Sequence, residues 1–208
     1  EQMTDQQLRD EAVTLFLAGY ETTSVAMAWS FHYLTQQAEF AARLHAETDA
    51  VLGDRDPVFM DVPQLAYARM VMQEALRLYS PTYWVSRTAE EDDVIDGYRI
   101  RKGQMVAIMS HMIHRHPDFW QHPEAFDPER FTPENSAGRH QLAWIPFGAG
   151  QRQCIGRDFA LMEGQLILTK IAQRYNVHAI PGKVAAPHVS TTLRTKDGVW
   201  VTISKRDK

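Results

Sequence analysis

The chain has 208 residues, 44% of them apolar and 23% charged, with a formal net charge of −4. That size and composition suit one globular domain or somewhat more, and the acidic balance argues against a nucleic-acid partner. A single cysteine rules out an internal disulfide framework and points to a reducing compartment.

Thr4 and Gln7 have the spacing of a capping box, which predicts a helix from Asp5. Leu8, Ala12, Leu15, Phe16, Val25 and Trp29 carry its apolar pattern to about Leu34. In its middle lies Ala18-Gly19-Tyr20-Glu21-Thr22-Thr23. A glycine followed by two threonines is weak helix material, so a kink is expected there, although an ordinary distortion with a solvated Glu21 reads equally well. A second helix spans about 40–52 and ends at Gly53, with a loop at 54–57. A third runs over about 62–78 and stops before Pro81. It carries Glu74 and Arg77, a spacing that is common on exposed helix faces and contributes about 0.2–0.5 kcal/mol there.

Beyond this helix the texture changes. Val94-Ile95, Tyr98-Arg99-Ile100 and residues 105–109 are short β-like runs, punctuated by Asp96-Gly97 and Lys102-Gly103. Residues 116–146 are rich in proline and aromatics and read as ordered irregular coil, with Pro128-Glu129-Arg130-Phe131 inside it. His111, His114 and His116 suggest a metal cluster only superficially and are read as structural or solvated. A long helix is expected over 155–174 and a strand over 177–180. A hairpin between Leu193 and residues 199–203 is expected to turn at Asp197-Gly198. No repeat or low-complexity segment stands out. The fold class is mainly α with small β-sheets.

The most informative stretch is Phe147-Gly148-Ala149-Gly150-Gln151-Arg152-Gln153-Cys154-Ile155-Gly156. Its glycines allow a tight turn and close approach to a flat partner. With a helix opening at 155, Cys154 lies at a helix N-terminus, where free N–H groups and the positive dipole end stabilise a thiolate. A thiolate on such a loop beside Arg152 suits haem iron, with Arg152 meeting a propionate. For a lone cysteine the competing reading is a small buried hydrophobe. Gln153 stands where a dinucleotide fingerprint needs its third glycine, and no phosphate loop occurs.

The decapeptide resembles the haem-binding signature of the cytochrome P450 (haem-thiolate monooxygenase) family at Phe147, Gly150, Arg152, Cys154 and Gly156. The cluster at 18–23, the Glu74-x-x-Arg77 pair and the Pro128-x-Arg130-Phe131 segment follow the family's motif order. Ser80, where a proline is frequent, is a minor departure. The resemblance covers essentially the whole chain. It implies the C-terminal portion of the cytochrome P450 fold, with 1–208 as the C-terminal half of a single domain. The chain opens without an initiator methionine and reads as beginning mid-protein. No apolar run approaches the ~18 residues of a spanning helix and no signal peptide opens the chain. The expected location is therefore cytoplasmic, with an anchor upstream left open.

The resemblance implies haem b (iron protoporphyrin IX) as cofactor and Cys154 as its iron ligand. Arg152 and Arg87 would contact propionates, Phe147, Gly148, Gly150 and Gly156 would shape the loop, and Ala18 and Gly19 would leave room beside the haem. Thr22 would hold O2 and Glu21 would relay protons. Tyr83, Trp84, Val85 and Thr192, with Thr191 and Leu193, would approach substrate, core packing being the alternative. Glu74, Arg77 and Arg130 would form a buried structural cluster. The implied reaction inserts one oxygen atom of O2 into a lipophilic small molecule. Electrons from NAD(P)H would arrive through a ferredoxin or flavin reductase-type redox partner, docking near Arg139, His140 and Arg157. The N-terminal half, or a complementary chain, would complete the pocket. A haem-thiolate isomerase or peroxygenase, a non-catalytic sensor and a complementing half-chain are the alternatives. The Glu21-Thr22 pair argues against the peroxygenase.

Overall fold

A computed structural model describes residues 2–206. The first helix, α1 (Asp5–Gln36), opens on the expected capping box: Gln7 N–H donates to the Thr4 hydroxyl, and Thr4 N–H donates to the Gln7 side chain. It runs unbroken through the cluster at 18–23, so the expected opening of the ladder does not occur. The reason is local. Thr22 Oγ1 donates to the Ala18 carbonyl at 2.6 Å and Ser24 Oγ to the Glu21 carbonyl at 2.8 Å. Both hydroxyls are satisfied by carbonyls of the preceding turn, without displacing an N–H.

Gln37 alone separates α1 from α2 (Ala38–Leu52), which ends at Gly53 with φ +54°, a backbone state that favours glycine. The third helix starts later than expected. Residues Phe59–Gln64 form a tight 3-10 turn containing Pro63, and α3 (Ala66–Leu78) follows after Leu65. Tertiary contacts set that break. Gln165 donates from its amide to the Val62 and Leu65 carbonyls, both at 3.0 Å. The Glu47 carboxylate on α2 accepts from Tyr67 N–H and Ala68 N–H at 2.5 and 2.9 Å, capping α3 from outside. The short helices α4 (Ser110–Ile113) and α5 (Pro133–Ser136) punctuate the coil, and α6 (Arg157–Arg174) closes the helical set.

The core lies between α1, α2, α3 and α6 and includes Trp29, Leu34, Leu44, Leu65, Met72, Leu161 and Leu168. Trp29 stacks on Tyr79 at 3.8 Å, joining α1 to the segment after α3. At Gly164 a Cβ would collide with Met72, so α3 and α6 approach closely there. Burial along α1 is uneven. Every residue from Asp5 to Tyr20 is exposed, including Phe16 at 68%, whereas buried positions begin at Thr23.

Four two-stranded antiparallel sheets lie at the edges among the described residues. Strands β1 (Val85–Thr88), β2 (Asp93–Ile95), β3 (Tyr98–Ile100) and β4 (Met105–Ile108) form two of them, β1 with β4 and β2 with β3. The β2–β3 turn is Asp96-Gly97, with φ +46° and +81°, as a two-residue hairpin of the right twist requires. Strand β1 was not foreseen, because Ser86, Arg87 and Thr88 are exposed and carry no apolar alternation.

The expected terminal hairpin is wrong in its pairing. Strand β7 (Leu193–Thr195) pairs with β6 (Pro187–Val189), whereas β8 (Val201–Lys205) returns to β5 (Tyr175–Ala179) at the end of α6. Gly198 does have φ +78°, but the segments on either side of it pair elsewhere. The closing turn of β6–β7 is Ser190-Thr191-Thr192, which carries no glycine or asparagine to announce it.

Candidate functional site

The cysteine loop is shaped by backbone alone. Gly148 and Gly150 adopt φ +71° and +72°, and a Cβ at either would meet open space rather than protein. A left-handed conformation at both positions favours glycine. Gly148 N–H donates to the Ile145 carbonyl at 3.0 Å, Gln153 N–H to Gly150 at 3.1 Å, and Cys154 N–H to Phe147 at 2.9 Å. These bonds close the loop and turn the free Cys154 thiol outward, exposed. Helix α6 begins two residues later than expected, with Gly156 at its cap position, so Cys154 precedes the helix rather than opening it. Ile155 is 96% exposed and Phe159 64% exposed beside it.

Arg152 ends the short turn Gly150–Arg152 and is exposed. Arg87 is exposed on β1, where Nη1 donates to the Ser86 carbonyl at 2.7 Å. Neither forms an ion pair among the described residues. A free thiol, a glycine loop without side chains above it, two unpaired guanidiniums and exposed apolar side chains together fit a flat apolar metallocofactor with carboxylate arms.

The second group of residues sits where α1 enters the core. Ala18 and Gly19 are exposed, and nothing lies within 4 Å of a Cβ built on Gly19. Glu21 and Thr22 are half-buried. They are neighbours in sequence but are not bonded to each other: Thr22 bonds to Ala18, and the Glu21 carboxylate accepts from the Thr192 hydroxyl at 2.8 Å. Thr192 is buried in the β6–β7 turn, and that turn is pinned to the core. Leu193 N–H donates to the Pro81 carbonyl at 2.9 Å, and Trp29 Nε1 donates to the Leu193 carbonyl at 3.4 Å. Tyr83 is half-buried and Trp84 exposed in the segment that links α3 to β1, and the half-buried Val85 opens β1.

Behind the loop the structure brings Glu74, Arg77 and Arg130 together. Arg77 is fully buried. Its Nε and Nη2 donate to Glu74 at 2.7 and 2.8 Å, and its remaining N–H groups donate to the carbonyls of His114, Pro123 and Ala125. Glu74 also accepts from Asp127 N–H at 2.9 Å and Arg130 Nε at 3.3 Å, and Arg130 donates to the Gln121 and His122 carbonyls. Burial pushes the Glu74 carboxyl up, while the bonds from Arg77 and the Arg130 charge oppose that shift.

His114 belongs to this assembly, a role that nothing in the sequence separates from its neighbours His111 and His116. Its Nε2 accepts from Ile145 N–H at 2.8 Å, and its Nδ1 donates to the Arg77 carbonyl at 3.1 Å. That pairing requires the neutral ring, and burial lowers its pKa to about 3. His114 therefore ties the end of α3 to the chain leading into the cysteine loop. Trp144 adds a second tie by donating to the Gln73 carbonyl at 3.2 Å. Two side chains of the expected docking patch also have structural bonds. Arg139 donates to the Arg130 and Asn135 carbonyls and stacks over Trp120 at 4.3 Å, and His140 accepts from Leu142 N–H. These bonds help to build the coil.

The family model described as Cytochrome P450 matches residues 1–201. Among curated proteins, Cyclooctatin synthase of Streptomyces melanosporofaciens is 40% identical over 191 residues, covering 92% of this chain and 42% of that protein. Cytochrome P450 4V2 of Homo sapiens is 34% identical over 208 residues, covering 99% of this chain and 40% of that one. The crystal structure of the cytochrome P450DA heme domain superposes with a TM-score of 0.94 at 36% identity, over 100% of this chain and 46% of that chain. The chain thus spans less than half the length of these relatives. No helix among the described residues is long and apolar enough to cross a membrane.

Proposed function

This chain belongs to the cytochrome P450 family, and we propose that it supplies the cysteine loop and the acid–alcohol helix of a haem-thiolate monooxygenase. The observation that carries the reading is the exposed, free Cys154 thiol on a loop closed by the Cys154–Phe147 backbone bond. When bound, haem supplies the activation of O2 and the insertion of one oxygen atom into a lipophilic substrate, with electrons from NAD(P)H delivered by a ferredoxin or flavin reductase-type partner.

The chain's own groups have separate tasks. The Cys154 thiolate holds the iron, and Arg152 and Arg87 neutralise the propionates with charge-assisted hydrogen bonds. Glu21 takes up a proton where α1 passes from exposed to buried surroundings, and the Thr22 hydroxyl, after turning away from the Ala18 carbonyl, passes one on by donating its own proton as it accepts another. Tyr83, Val85 and the Thr192 turn shape an apolar compartment that keeps water from the reacting groups. Glu74, Arg77, Arg130 and His114 hold the coil behind the loop so that the thiolate stays in place. Residues 1–208 act as the C-terminal half of one domain, completed by an N-terminal half or a complementary chain. The exposed apolar side chains Leu15, Phe16 and Leu17 on α1 support this.

Cys154→Ser tests the reading. In the haem-loaded protein the substitution should abolish the red-shifted Soret band of the reduced carbonyl complex while far-UV circular dichroism is unchanged. A persistent red-shifted band in the folded variant would show that another group ligates the iron.

A further inference from the structure

The geometry points to Thr192 as a positioning residue that holds the Glu21 carboxylate in register for proton transfer. This inference rests on the role proposed for Glu21. Consecutive residues on a helix do not face each other. Glu21 and Thr22 therefore do not meet by default, and Glu21, with several rotatable bonds, needs a third group to fix where its carboxylate lies. Among the described residues the one hydrogen bond to that carboxylate comes from Thr192 Oγ1 at 2.8 Å, across 171 positions of sequence.

The direction of control follows from what anchors each partner. The turn bearing Thr192 is fixed by backbone bonds that do not involve Glu21. Leu193 N–H is held by Pro81, the Leu193 carbonyl by Trp29, and Ser190 N–H by the Thr192 carbonyl at 3.1 Å. Trp29 is itself locked by stacking on Tyr79. Thr192 is only 6% exposed, whereas Glu21 is half-buried and has no anchor of its own beyond this bond. The hydroxyl is thus the fixed point and the carboxylate the mobile one. Because the same turn borders the proposed substrate compartment, the group that fixes the acid is also part of the wall that meets substrate. Substrate fit and proton supply are then linked through a single hydrogen bond.

The test uses two readouts on Thr192→Val, which keeps the shape and removes the donor, and on Thr192→Ser, which keeps the donor. The first is infrared spectroscopy of this chain, with the Glu21 carboxylate band identified as the difference from Glu21→Gln. Thr192→Val should lose the hydrogen-bonded band position and Thr192→Ser should retain it. The second is turnover of the haem-loaded protein. Thr192→Val should lower kcat on the order of ten-fold, a part of what a positioned acid contributes, with KM unchanged and serine restoring the rate. A residue acting only as a substrate contact would instead raise KM. An unshifted band in Thr192→Val overturns the inference. A shifted band with normal kcat, while Glu21→Gln is slow, also overturns it. If Glu21→Gln turns over normally as well, it is the proton-supply role of Glu21 that has failed.

Discussion

Acidification offers a direct test of the packing behind the cysteine loop, through His114. Its folded-state pKa is near 3, lowered first by burial and then by the neighbouring charges of Arg77 and Arg115, against an ordinary value of 6.5. An unfolded chain binds a proton on this ring below pH 6.5, and the folded chain refuses it. Stability from the neutral ring is therefore fully present above pH 6.5 and is lost as pH falls toward 3. Each pH unit in that window costs about 1.4 kcal/mol, so moving from pH 6.5 to pH 5 removes about 2 kcal/mol. Single domains have about 5–15 kcal/mol in total, so the effect is measurable. Urea denaturation at pH 7, 6 and 5, followed by tryptophan fluorescence, would give the slope. His32, His45 and His111 are lowered in the same sense and add to it. The informative quantity is therefore the difference between wild type and His114→Gln. The variant should begin less stable by about 1–3 kcal/mol, for the unpaired Ile145 N–H, and should lose stability less steeply on acidification. Parallel slopes in the two proteins would mean that the ring takes up its proton freely in the folded state, and the clamp assigned to it would be wrong.

Arg77→Lys should destabilise by about 2–3 kcal/mol although it preserves charge, because an ammonium cannot reach Glu74 and three carbonyls at once; a loss below 0.5 kcal/mol in denaturant unfolding would show that water satisfies those groups. Gly164→Ala should cost about 1–2 kcal/mol, as overpacking against the buried Met72 outweighs the helix propensity gained. The double variant with Met72→Ala should be less destabilised than the sum of the two single changes, and a stabilising Gly164→Ala would refute the close approach of α3 and α6.

What could be read from the sequence was local. Thr4 and Gln7 announce the start of α1 because the capping box is complete within four residues. Asp96-Gly97 announces the β2–β3 turn because both residues tolerate positive φ. The cysteine loop was legible because Gly148 and Gly150 carry a left-handed backbone that few other residues would. The misses came from distant partners. The break before α3 depends on Gln165, 100 residues beyond Leu65, and on Glu47 of another helix. The pairing of β5 with β8 depends on where α6 delivers the chain. His114 looks like its neighbours until Ile145 and the end of α3 are placed on either side of it.

The boundary at Glu21 marks where the apolar pattern of α1 and its burial part company. The apolar pattern of α1 predicts a buried stripe along its whole length, yet Leu8, Leu15 and Phe16 are exposed and burial starts only at Thr23. An apolar pattern does not by itself say what covers it, and this chain spans less than half the length of its relatives. The same holds for Cys154 and Ile155, which are exposed beside a loop shaped for close approach. Behind the loop, Arg77 and His114 are satisfied: Arg77 finds five acceptor contacts and His114 two partners. In the cysteine loop, Arg152 has no ion pair among the described residues, and the Cys154 thiol is free. Glu21 lies between these two sets, with one hydrogen bond to a turn that the core holds fixed. Its side chain is therefore where the core-anchored part of this chain meets its exposed part.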